Sequence, residues 1–146
     1  MVTEITSEHE IKTIEKALED NKNNVQMHLN NALKALSTHP VGDYRNSIKE
    51  SISAVEALNR EITGDKSLNL NKMERKGLKI PSVLRQSFNK LYGYSNNEQT
   101  GIRHALMDET AEFVPGAEEA IYMLITCSAF INYLNSKLKS ENNHND

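Results

Sequence analysis

The chain has 146 residues, 38% of them hydrophobic and 25% charged, with a net charge of −3. That length suits one domain able to bury a core of its own, and the composition excludes a disordered polymer. A single cysteine excludes an internal disulfide and a cysteine-rich zinc site, no apolar run reaches membrane-spanning length, and the start Met-Val-Thr-Glu-Ile-Thr has no export signal, so a reducing cytoplasm is the expected compartment.

In chain order, Ser7 and Glu10 have capping-box spacing and open a short amphipathic helix carrying Ile11, Ile14, Ala17 and Leu18. Asn21 to Asn24 predict a break, although Leu18 and Val25 are one heptad apart and one long helix is the alternative. Val25, Leu29, Ala32, Leu33 and Leu36 define the next helix, and His39 to Gly42 a turn that sends the chain back antiparallel. The central helix is expected between an N-cap at Asp43 and a terminating Gly64, with Tyr44, Ile48, Ile52, Val55, Leu58 and Ile62 on one stripe. Ala54 and Ala57 widen that stripe, so neighbours can pack from more than one side. Residues 65–71 read as a linker, 72–76 as one helical turn stopped by Gly77, and Pro81 to Gly93 as a helix whose apolar residues are Val83, Leu84, Phe88 and Leu91, with Tyr92 able to join them. Tyr94 to Thr100 reads as a polar loop and Gly101 to Glu109 as a short helix or turn. The last helix is expected from Ala117 to Leu138, on Ala120, Ile121, Leu124, Ile125, Ala129, Ile131, Leu134 and Leu138. Residues 1–140 then form one all-α bundle of four to five helices, and 141–146 a polar, disordered tail.

Charge is unevenly distributed. Residues 65–97 hold two acids and seven bases, a +5 window between two acidic segments. Lys72, Arg75, Lys76, Lys79 and Arg85, with Arg45 on the central helix, are the candidates for following an RNA backbone. The alternative is a solvated basic linker that balances its acidic neighbours. Arg103-His104 is the sharpest chemical pair. An arginine fork matches phosphate oxygens, and an imidazole can move a proton at a ribose hydroxyl, so the pair suits RNA cleavage without a metal. Adjacent helical residues point about 100° apart, so such a site calls for a second subunit. Glu50 is the candidate to orient Arg103 through a bidentate ion pair; alternatively Arg103 and His104 are structural, and Asn46 and Glu50 a surface pair. The five histidines and Cys127 show no metal-ligand spacing, and no phosphate-binding glycine loop occurs, so no metal or cofactor is expected.

The stretch Asp43-Tyr-Arg-Asn-Ser-Ile-Lys-Glu through Leu58, then Leu91-Tyr-Gly-Tyr94, Gly101-Ile-Arg-His-Ala-Leu-Met-Asp-Glu109 and Cys127-Ser-Ala-Phe-Ile-Asn-Tyr-Leu134, resembles the C-terminal HEPN-like domain of bacterial abortive-infection proteins of the AbiJ type. The resemblance spans most of residues 22–138. It implies a helical bundle that works as a homodimer in phage defence, commonly as a metal-independent ribonuclease, with RNA as substrate and another defence domain or subunit as partner. The family's usual signature is an arginine, four to six residues, then a histidine. No arginine of this chain has a histidine at that distance; Arg103 is followed there by Asp108, Glu109 and Thr110. The resemblance therefore implies either a ribonuclease that uses Arg103 and His104 across a dimer, or a non-catalytic module that binds RNA, a nucleotide or a protein. It also implies that the domain stands either alone or behind another domain.

Overall fold

The computed structural model describes residues 7–65, 70–96 and 114–144, and these are helical with no strand among them. Among the described residues six helices follow in order: α1 (Glu8–Asp20), α2 (Asn24–Leu36), α3 (Tyr44–Thr63), α4 (Leu70–Arg75), α5 (Ser82–Asn96) and α6 (Ala117–His144). The fold class is thus the expected all-α bundle.

The boundaries follow local chemistry. Ser7 Oγ accepts from the Glu10 N–H and donates to the Glu10 carboxylate, so the capping box closes at the side chain. The Asn run separates α1 from α2: Asn21 Nδ2 donates to the Ala17 carbonyl at 2.7 Å and Asn23 takes a positive φ of 63°, which excludes one continuous helix. Gly42 is required by close approach, since a Cβ there would lie 2.7 Å from the Leu36 carbonyl oxygen and strike the Tyr44 ring. Asp43 caps α3 through the Asn46 N–H, and Gly64, at φ 76°, closes it with its N–H on the Arg60 carbonyl.

Helix α3 is the centre. It packs along α2 and α6 and also meets α4 and α5. Ile48, Ile52, Ala54, Val55 and Leu58 are all buried, and the predicted stripe is the core stripe. Leu29 and Ala32 close on it from α2, and Leu124, Cys127, Ile131 and Leu134 from α6. The α2–α3 pair is antiparallel, because contacts between Ala35 and Asp43, Ala32 and Ser47, and His28 and Glu50 step in opposite directions along the two helices.

Several expectations need correction. The linker 65–71 already holds the start of α4 at Leu70, and Met73, Leu78 and Ile80 plug the core beside it. Helix α5 runs through Gly93 to Asn96, because a single glycine costs a helix only about 1 kcal/mol. Val83 and Leu84 face outward, 70% and 48% exposed, while Phe88 is buried. Helix α6 continues six residues beyond Leu138 to His144, so residues 141–144 of the expected tail are helical. Its buried face includes Met123, and Ala129 is exposed.

Candidate functional site

The segment 101–109, with Arg103 and His104, lies outside the described residues, so the expected pair has no geometry to report. Among the described residues, Glu50, the residue expected to orient Arg103, is paired with His28. Its Oε2 lies 2.5 Å from His28 Nδ1, and both side chains are mostly buried between α2 and α3. Sequence spacing could not find this pair: the two residues are 22 positions apart and meet only through the antiparallel register.

One turn along α3 from Glu50, a small polar cleft of about 120 Å³ opens, bordered by Asn24, His28, Ser53, Glu56 and Arg60. Glu56 there accepts a hydrogen bond from the Tyr92 hydroxyl of α5 at 2.9 Å. Arg60 is exposed at the rim and makes no ion pair among the described residues. The cleft thus combines an imidazole held by a carboxylate, a serine hydroxyl and an open guanidinium. Those groups can accept a proton and hold an oxyanion.

The basic window does not form one open cationic strip. Lys72 Nζ is 2.9 Å from the Asp65 carboxylate, and Arg85 pairs with Glu74. Lys76 and Lys79 are exposed, and Arg45 is partly buried in the first turn of α3. The Arg75 side chain lies outside the described residues.

A larger, apolar groove of about 640 Å³ lies between α5 and α6. Phe88 and Phe130 stack at its floor with centroids 3.9 Å apart, and Leu84 and Tyr122 stand exposed on its walls. Among the described residues that line it, Lys90 is the charged one. A third hollow, also about 640 Å³, lies where the α1–α2 turn meets α3 and α6; Leu58, Ile62 and Leu138 line it, together with Asn21 and Asn135, whose amides bond to each other at 3.1 Å.

Among the described residues no group of three or more His, Cys, Asp or Glu side chains could hold a metal ion, and no helix is long and apolar enough to cross a membrane. No family model matches the chain, and neither a curated protein nor a solved structure matches it significantly.

Proposed function

We propose that this chain is a HEPN-like domain of a bacterial abortive-infection system, acting in the cytoplasm as a homodimer that cleaves RNA without a metal ion. Arg103 and His104 are the sequence's candidates for the reaction, and Lys76 and Lys79 remain open to phosphate. The observation that carries the reading is the helical frame: α3, capped where the resembling stretch begins, packs along α2 and α6 and meets α4 and α5. The apolar α5–α6 groove supports the dimer. A two-fold contact sets a patch against itself, so a patch with a single charge at its edge can meet a second copy through apolar contact alone. Purified protein should cut single-stranded RNA in excess EDTA, leaving a 2′,3′-cyclic phosphate, and His104→Ala should abolish cutting without changing the circular-dichroism spectrum. No cutting by the wild-type dimer rejects the ribonuclease.

A second reading, a non-catalytic HEPN-like module that binds RNA, a nucleotide or another defence subunit, has its own support. Glu50 is engaged by His28, and two cations of the basic window are engaged by Asp65 and Glu74. A dimer that binds RNA and leaves it intact is the outcome that selects it.

A further inference from the structure

Among the described residues Asn23, in the turn between α1 and α2, is the non-glycine with a positive φ. Its φ of 63° and ψ of −126° suit glycine and cost a residue that carries a Cβ. It is the N-cap of α2, yet it gives that helix no side-chain hydrogen bond. Two side-chain amides close the turn instead. Asn21 Nδ2 donates to the Ala17 carbonyl at 2.7 Å, and Gln26 Nε2 to the Leu18 carbonyl at 2.9 Å. Those are the carbonyls that the N–H groups of Asn21 and Lys22 take if α1 runs on as a helix. The apolar pattern suits that continuation. Ile11, Leu18, Val25 and Ala32 are spaced by heptads, so one helix from Glu8 to Leu36 keeps an unbroken apolar stripe.

The hold on α1 is light. Its buried residues are Ile14 and Ala17, and it packs chiefly on α6 and little on α2. Asn132 Nδ2 donates to the Thr13 carbonyl at 3.0 Å, and Asn135 Nδ2 to Asn21 Oδ1 at 3.1 Å. Asn132 Oδ1, and Ser128 Oγ one turn earlier on α6, are buried without a hydrogen-bond partner among the described residues, which weakens the seat further. A helix whose main partner is not its chain neighbour can reach the same partner in another copy once its connection opens. We infer that residues 21–24 are a hinge through which two copies of this chain exchange α1. The hinge straightens, α1 and α2 become one helix, and α1 of each copy packs on α6 of the other. The exchanged contact is the one made within a single chain, so it needs no new surface. What changes is the hinge: Asn23 leaves its strained backbone, and the N–H groups of residues 21–24 enter the helical ladder. Against exchange stand the Asn21 and Gln26 bonds and the entropy of association, so the exchanged form grows with concentration. The exchange depends neither on the ribonuclease reading nor on the α5–α6 groove.

The test uses the contact that both forms share. Thr13→Cys and Asn132→Cys, placed together in the Cys127→Ala chain, meet across α1 and α6. Oxidation then joins them within one chain in the closed form and between two chains in the exchanged form, and a non-reducing gel separates the products. The share of interchain disulfide should rise with protein concentration. Asn23→Ala keeps the strain in the turn and suits a helix, so it should raise the ratio of interchain to intrachain disulfide about tenfold, and Asn23→Gly, which relieves the strain, should lower it about tenfold. Asn21→Ala combined with Gln26→Ala frees the Ala17 and Leu18 carbonyls, should act in the same direction as Asn23→Ala, and takes its place if that variant does not fold. Light scattering gives a reading without cysteines. With Leu84→Glu and Tyr122→Glu charging the α5–α6 groove, Asn23→Ala should still show twice the chain mass at high concentration, and Asn23→Gly one chain mass. Equal ratios in Asn23→Ala and Asn23→Gly, no interchain disulfide in any variant, or equal masses in that pair overturn the hinge.

Discussion

Cys127 shows how placement alone decides the chemistry of a side chain. It is fully buried on α6 against the α3 stripe, and burial in apolar surroundings pushes its thiol up to about 12. The thiolate is the nucleophile, so the folded protein at pH 8 should react with an aromatic disulfide reagent only as fast as it opens, whereas the denatured chain should react within seconds. Rapid reaction of the native protein would place the thiol at the surface. The sign of the linkage follows from the raised value. Folding favours the protonated thiol, so this contribution is complete below the unfolded value near 9 and is lost as pH rises from there towards 12. Cys127→Ala removes the ionisable group, and its melting temperature should fall less steeply than that of the wild type over that alkaline range. The same burial makes Cys127 inert in any redox or nucleophilic role.

At the scale of the element, α3 is the helix on which the core is assembled. Ile48 and Val55 are fully buried in the stripe that α2 and α6 close upon. Ile48→Ala leaves a cavity between three helices, and its cost should be about 2–5 kcal/mol in urea unfolding with an unchanged slope; a cost below about 1 kcal/mol would mean that the site collapses freely. This helix was legible in the sequence down to both caps because Asp43, the three-and-four spacing and Gly64 are all local signals. Helix α5 was legible in type and in part of its face: Phe88 is buried and Leu91 packs against the core, while Val83 and Leu84 are exposed. Leu84 keeps the helical spacing of Phe88 and Leu91, whereas Val83, five residues before Phe88, stands about 140° away, and which side of the helix meets the core depends on where the α6 aromatics lie, as in the Phe88–Phe130 stack. Its run past Gly93 and the run of α6 to His144 were missed for a simpler reason: one glycine or a few polar residues weaken a helix without ending it. The His28–Glu50 pair was illegible because it exists only in the α2–α3 register. Spacing alone offers Glu50 an arginine, Arg103, which lies outside the described residues; among the described residues its partner is the His28 imidazole.

For the whole molecule, the question is what keeps the α5–α6 face out of water. Leu84 and Tyr122 are 48% and 60% exposed above a stacked aromatic floor, and exposed apolar residues gathered along one groove mark an association surface more often than a free one. Because these side chains contribute little to the monomer's own core, charges placed there should separate copies without unfolding them. Leu84→Glu combined with Tyr122→Glu sets like charges against each other across a two-fold contact, which adds repulsion to the lost apolar burial. Light scattering should therefore report twice the chain mass for wild type and one chain mass for the double variant, with matching circular-dichroism spectra. Raising salt from 0.1 to 0.5 M should leave the wild-type dimer intact, since apolar contact is not screened, while any RNA binding at Lys76 and Lys79 weakens over the same range. A dimer that dissolves in salt, or one that survives both glutamates, would move the interface away from this groove. Cleavage measured on the monomeric variant then tests the dimer's part in the chemistry: a site built from two Arg103–His104 pairs should stop cutting once the copies separate.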